Sequence, residues 1–209
     1  MISDLASNKI DTIKNVKKRI LKANNKAQID NEIFSFLTDY NINDIDLTKS
    51  TKSLDNSLQL VSRITTNGKI KFCNTDFCKA TNYSSKELQN KKLTSIFHPE
   101  MPKTILDVIK NSLNKNNETY AVIKQIDSEG NTIWLNSHFI PNTTSKLNIA
   151  CQIKSQPSSQ KAIEKIEKIY NTVYLLENHV NHEIAKKYFE GLLEMEYADY
   201  EGFIIDAFQ

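Results

Sequence analysis

The pattern of apolar and polar residues divides the chain into a helical start, a strand-rich middle and a helical end. From Ile2 to Asn24 apolar residues recur at helical spacing, and lysines occupy most of the other face. A second short helix is predicted over Ile29–Tyr40. The stretch from Asn41 to Asn56 is rich in Asn, Asp, Ser, Thr and Lys, which indicates a linker.

Five short runs in the middle of the chain predict β-strands. They are Leu60–Thr65, Lys69–Cys73, Thr119–Ile126, Thr132–Ile140 and Lys146–Ile153. Asn67-Gly68 lies between the first two runs and predicts a hairpin, because both residues tolerate a positive φ. A second turn, over residues 127–131, contains Gly130.

The residues between the second and third strands predict short helices. Ser84 and Glu87 have the spacing of a capping box. Pro102–Asn114 predicts a longer helix that has an apolar face and a proline at its first position. Because Pro99 disfavours helical geometry in the residue before it, His98 is expected to be extended and to face the concave side of the sheet.

This order of elements resembles a PAS domain, most closely the PAS domains of bacterial aerotaxis and chemotaxis transducers, over Leu60–Ile153. The residues that carry the resemblance are Asn74, Phe77, Cys78, Thr81, Tyr83, Glu87, Leu88, His98-Pro99-Glu100-Met101-Pro102, Gly130 and Trp134. The resemblance implies a five-stranded antiparallel sheet with a helical middle. Together with the amphipathic patterns at the two ends, it predicts an α+β fold in which this domain is flanked by N-terminal and C-terminal amphipathic helices. The expected division is residues 1–59 for an extension and linker, 60–155 for the sensor domain, and 156–209 for a signalling or dimerisation segment.

Several positions depart from that family. Phe97 stands where an arginine is usual and Glu100 where an aspartate is usual. Asn82 and Asn90 replace glycines, but asparagine is the residue that next best tolerates left-handed geometry, so the fold is expected to hold.

The resemblance also implies a ligand pocket between the concave face of the sheet and the helical middle. The candidate cofactor-binding residues are Asn74, Phe97, His98, Glu100, Tyr120 and Trp134. Three of them offer hydrogen bonds and the three aromatic ones offer apolar or stacking walls. The family members most similar to this chain bind FAD, which is therefore the expected cofactor. Two alternatives stay open: a haem sensor with His98 as the axial ligand, and an interaction scaffold without a cofactor.

The two ends of the chain carry opposite charges. Residues 1–26 contain seven basic and two acidic side chains, a net charge of +5, whereas residues 183–209 contain seven acidic and two basic ones, a net charge of −5. A helix is predicted from Lys161 to about Ile184, with Glu177 interrupting its apolar seam, and an apolar segment follows over Tyr188–Phe208. We expect the two charged ends to pair, within one chain or across a homodimer.

Composition and motifs exclude several functions. With 27 basic and 25 acidic residues the net charge is only +2, which does not favour nucleic acid. No apolar run approaches the roughly 20 residues that span a bilayer, and no signal peptide is evident, so a cytoplasmic location is expected. The three cysteines are interpreted as small hydrophobic residues rather than as a redox switch.

No enzyme signature is present, so the chain is not expected to be an enzyme. His182-Glu183 is similar to the phosphoacceptor box of sensor histidine kinases, but the proline that follows in that family is missing, and an ordinary surface histidine is the simpler interpretation. The expected function is a cytoplasmic sensor or signal-relay module, as in energy taxis. It would act through a separate chemoreceptor-type partner or another signalling protein.

Overall fold

The structure, a computed structural model, describes residues 51–142 and 149–208. The strands in this part are β1 (Leu60–Thr65), β2 (Ile70–Cys73), β3 (Thr119–Ile126), β4 (Thr132–Pro141) and β5 (Ile149–Pro157). The helices are α1 (Thr75–Thr81), α2 (Ser85–Leu88), α3 (Lys103–Asn114), α4 (Gln160–His179), α5 (His182–Leu192) and α6 (Tyr200–Phe208). A short 3-10 helix, called the 3-10 turn below, lies at Leu93–Ile96, and a five-residue π-helix lies at Leu193–Tyr197.

The strands form a single sheet in the order β2-β1-β5-β4-β3, and each neighbouring pair is antiparallel. Helices α1 to α3 cover its inner face, which carries Phe139, and α4 and α6 cover its outer face, which carries Trp134. This arrangement confirms the predicted α+β fold with a five-stranded antiparallel sheet. None of the helices in the described residues is long and apolar enough to cross a membrane.

The local turns follow the sequence signals with one exception. Gly68 has a φ of +71°, and its N–H donates to the carbonyl of Thr65 (2.8 Å). Asn67, which also tolerates a positive φ, does not adopt one, so a single left-handed residue closes the hairpin. Asn82 and Asn90 have φ values of 55° and 64°, which confirms that asparagine can replace glycine at these two positions.

The capping box at the start of α2 is confirmed in both directions. The Ser84 hydroxyl accepts from the backbone N–H of Glu87 (3.2 Å), and the Glu87 carboxylate accepts from the backbone N–H of Ser84 (2.8 Å). Leu88, the last residue of α2, is fully buried and anchors the helix in the core. A local sequence signal therefore placed this four-residue helix correctly.

The predicted continuous helix from Lys161 to Ile184 is wrong, because the helix is interrupted between the end of α4 at His179 and the start of α5 at His182. Asn181 is extended and its side chain accepts from the backbone N–H of Ile184 (2.8 Å), which starts a new helix. The apolar segment that follows is covered within the chain, since Phe189 and Phe203 are buried in edge-to-face contact at 5.6 Å. The predicted helices over residues 2–24 and 29–40 lie outside the described residues, so their pairing with the acidic end stays a prediction.

The edge of β3 that has no neighbouring strand is covered by side-chain and backbone groups that donate hydrogen bonds to its carbonyls. Three successive outward carbonyls accept hydrogen bonds: Tyr120 from the Tyr200 hydroxyl (2.9 Å), Val122 from the Tyr170 hydroxyl (2.8 Å) and Lys124 from the His98 N–H (2.9 Å). An open edge strand is a template for pairing with another chain. These donors occupy that edge and attach α4 and α6 to the sheet.

We predict that Tyr170→Phe lowers the free energy of unfolding by about 1–3 kcal/mol, because it leaves the buried Val122 carbonyl without its donor. Urea denaturation followed by circular dichroism measures the change. Tyr174→Phe, one turn further along α4 and partly exposed, is the matched control and should be nearly neutral. Equal stability of the two variants would contradict the role given to the Tyr170 hydroxyl.

Candidate ligand-binding site

A cavity of about 700 Å³ lies between the inner face of the sheet and α3. Its apolar lining comes from three strands, from α3 and from the segment around the 3-10 turn: Ile64, Phe139, Cys151, Leu106, Ile109, Leu113, Leu93 and Phe97. Ligand sites in proteins typically measure about 300–1,000 Å³ and are mostly apolar. The cavity has the size and the chemistry of a small-molecule site.

The polar part of the lining is positively charged. Lys92 and Lys110 line the cavity and are exposed, and no carboxylate lies among the described lining residues. The amides of Asn67 and Asn114 add uncharged donors and acceptors. At the floor, burial raises the pKa of the Cys151 thiol to about 11, so this thiol stays neutral at pH 7. The arrangement suits a ligand with an apolar body and an anionic group.

Of the six predicted site residues, Phe97 alone lies in the cavity lining. Asn74 instead holds the backbone together where β2 meets α1. Its side-chain oxygen accepts from the N–H groups of Val61 and Phe77 (both 3.0 Å), and its amide donates to the Gln59 carbonyl (2.6 Å). The hydrogen bonds predicted for a ligand are therefore used to cap α1 and to join it to β1.

His98 does not face the cavity, contrary to the expected orientation. Phe97 pairs with Gln125 at the edge of β3 and points inward, so the next side chain points away. The His98 ring is buried, and its Nδ1 accepts from the backbone N–H of Glu100 (3.1 Å). Glu100 in turn accepts from the buried Lys124 ammonium at 2.8 Å. His98 and Glu100 thus belong to the edge of the sheet.

Tyr120 and Trp134 lie on the outer face, opposite the cavity. Tyr120 stacks on His138 with ring centroids 4.1 Å apart. Trp134 is 2% exposed and packs against Tyr170 of α4, with the Lys124 ammonium 5.4 Å from its ring centroid. Because side chains alternate along a strand, both aromatics occupy outward positions and neither lines the cavity.

Sequence reasoning missed the residue that connects the cavity to the C-terminal helices, Glu177 of α4. The residue before α3 is Pro102, which provides no side-chain cap for the helix. The Glu177 carboxylate accepts from the backbone N–H groups of Lys103 (2.9 Å) and Thr104 (2.6 Å) and from the Thr104 hydroxyl (2.8 Å). A carboxylate at a helix N-terminus is favourable for both the orphan N–H groups and the helix dipole. The only sequence feature that pointed to this role is that Glu177 occupies one of the apolar positions of its helix, where an acidic residue is expected to need a partner.

His182 makes a second contact between α3 and the C-terminal helices. Its Nε2 lies 2.8 Å from Asp107 of α3, and its Nδ1 lies 3.6 Å from the Glu177 carboxylate. The Glu177 side chain is only 3% exposed, whereas His182 is about one-third exposed. His182 is therefore part of an interhelical contact and not an isolated surface histidine.

Comparison with known proteins gives one family. Residues 70–151 match the PAS fold family. A comparison with curated protein sequences gave no match.

Three solved structures resemble the chain at low identity. One is a light-oxygen-voltage domain studied with a flavin analogue: 16% identity, TM-score 0.45, covering 53% of this chain and 83% of that one. Another is the light state of the blue-light photoreceptor Aureochrome1 LOV: 18% identity, TM-score 0.46, covering 56% and 92%. The third is a PAS domain of a protein from Colwellia psychrerythraea: 12% identity, TM-score 0.44, covering 50% and 88%.

The matched residues run from the first residue of β2 into β5, so they contain the helical middle and most of the cavity. The strand order and the inner helices agree with the same assignment. Residues 70–151 are therefore assigned to the PAS fold family, and β1 completes the same five-stranded sheet.

Proposed function

We propose that this chain is a sensor and signal-relay protein in which a ligand in the PAS cavity repositions α3, and α3 transmits the change to α4 and α5. The observation that carries the proposal is that α3 belongs to both regions. One face of α3 lines the cavity through Leu106, Ile109 and Leu113. Its N-terminus is bonded to Glu177 of α4.

The ligand that we propose is FAD. The apolar lining around Phe139 and Leu93 suits a flat ring system, and Lys92 and Lys110 would face the phosphates. Asn67 can hydrogen-bond to the edge of the ring. A bound flavin supplies reversible electron transfer that changes its hydrogen bonding, which suits redox sensing. The lysines replace the positive charge that the family usually carries at the position of Phe97.

The haem alternative is supported less well. No histidine lies among the described residues that line the cavity. The proposed axial ligand, His98, is buried at the edge of β3, and its Nδ1 already accepts a backbone hydrogen bond. A haem bound through His98 would require this edge to open.

We propose further that the signal leaves through a separate chemoreceptor-type partner, as in energy taxis, and that the chain acts as a homodimer without enzymatic activity. The resemblance to aerotaxis and chemotaxis transducers is the reason for naming this partner class. The C-terminal helices offer a surface for such contacts, since Met195 is 87% exposed and Ile205 is 54% exposed among acidic neighbours such as Glu196 and Glu201. Exposed apolar groups with a charged surround are typical of interaction sites.

FAD binding provides the direct test of the cofactor. Purified protein incubated with FAD and separated from free FAD by gel filtration should keep the flavin absorption bands. Lys92→Gln/Lys110→Gln should weaken FAD binding about two- to thirtyfold, because two exposed charge pairs contribute about 0.2–1 kcal/mol each. Riboflavin, which lacks phosphate, should bind both proteins equally.

The matched control for this test is Lys91→Gln/Lys115→Gln, which removes two exposed lysines outside the cavity lining. A colourless parent protein after incubation with FAD would overturn the cofactor proposal in favour of a cofactor-free scaffold. A Soret band with haemin that disappears in His98→Ala would favour the haem alternative instead.

The relay is tested by hydrogen exchange with and without FAD. In the parent protein FAD should slow exchange in α3 and also in the last turns of α4, because Glu177 connects the two helices. In Glu177→Ala the effect should be confined to α3, whereas Glu164→Ala, an exposed glutamate of the same helix, should behave like the parent. An α4 response that survives in Glu177→Ala would contradict this route.

A further inference from the structure

Two thiols meet where β2 passes into α1. Cys73 is the last residue of β2 and Cys78 lies in α1, and their sulfur atoms are 3.6 Å apart. A disulfide requires an S–S distance of about 2.05 Å, so a closure of roughly 1.5 Å is needed.

The backbone between the two cysteines is fixed by interactions that do not involve the thiols. Asn74 follows Cys73 directly, caps α1 and bonds to the chain around β1. Phe77, which precedes Cys78, is buried in the core. The pairing is therefore imposed by the fold, and little conformational freedom remains to be lost on cross-linking.

Accessibility gives the two thiols different roles. Cys73 is 9% exposed, and burial together with the neighbouring Cys78 raises the pKa of its thiol to about 12. Cys78 is partly exposed and is the thiol that a reagent reaches first. Cys151 is different from both, because it is buried on β5 and its thiol donates to the Gln152 carbonyl.

We propose that Cys73 and Cys78 form a redox-modifiable pair, which a small-molecule disulfide such as oxidised glutathione converts to an intramolecular disulfide. Cys78 as thiolate attacks one sulfur of the reagent, forms a mixed disulfide and releases one thiol. Cys73 then loses its proton and attacks the Cys78 sulfur, which releases the second thiol. Two protein thiols are oxidised and one reagent disulfide is reduced to two thiols, so atoms and electrons balance.

The oxidation would attach the end of β2 covalently to α1. Gly68, which lines the ligand cavity, lies in the turn that leads into the opposite end of β2. The pair is thus a second input on the PAS domain, and it does not depend on the proposed cofactor.

Oxidation of the full chain tests this pair. The protein is incubated with excess oxidised glutathione, quenched in acid, denatured, alkylated and digested with trypsin. The peptide Phe72–Lys79 contains both cysteines without an internal lysine or arginine. Its mass should fall by about 2 Da without alkylation, as expected for one disulfide, and reduction should restore two alkylatable thiols.

Two variants separate the steps. Cys73→Ser should accumulate one glutathione on Cys78, because the resolving thiol is missing. Cys78→Ser should leave Cys73 unmodified. Two alkylated cysteines in the parent peptide after oxidation, or a stable glutathione adduct on the parent, would overturn the proposal, and this readout does not require either variant to fold.

Discussion

The hydrogen bonds between Glu177 and the first turn of α3 join the helical middle of the PAS domain to the C-terminal helices, and the arrangement of these two regions depends on them. Pro102 gives α3 no side-chain cap, so the N–H groups of Lys103 and Thr104, which have no acceptor within their own helix, need one from elsewhere. The carboxylate that fills this role comes from a helix on the C-terminal side and is almost completely buried. Because a buried carboxylate is costly without partners, α3 and α4 stabilise each other at this point.

The closed edge of β3 directs where other proteins can bind. The hydroxyls of Tyr170 and Tyr200 donate hydrogen bonds to β3 carbonyls that a partner strand would otherwise use. Extension of the sheet on this side is therefore blocked. Since the same hydroxyls hold α4 and α6 on the sheet, displacement of these helices would expose the edge again. Sheet protection and helix docking are one interaction.

Local signals predicted the framework, while the site required tertiary information. The capping box at Ser84 and the hairpin at Gly68 involve residues close in sequence, so their physics is visible in the sequence. Trp134 belongs to a strand that is buried on both faces, where apolar alternation does not identify the cavity side. Glu177 lies 73 positions from Thr104, and the break at Asn181 carries neither proline nor glycine. The contact of Glu177 has no local signal, and at Asn181 the signal is only that of an N-cap residue inside an otherwise helical pattern.

The construction of the cavity indicates which wall would move in the proposed relay. Its floor is a sheet in which Phe139 and Cys151 are buried and each strand is bonded to its neighbours, so a shift there must break several ladder bonds together. Its opposite wall is α3, where Leu106 and Leu113 are only half-buried and the N-terminus is held by one carboxylate. In the proposed relay, a ligand that needs more room would displace α3 rather than the sheet. The displacement would reach α4 directly, because Glu177, which holds the N-terminus of α3, is itself a residue of α4.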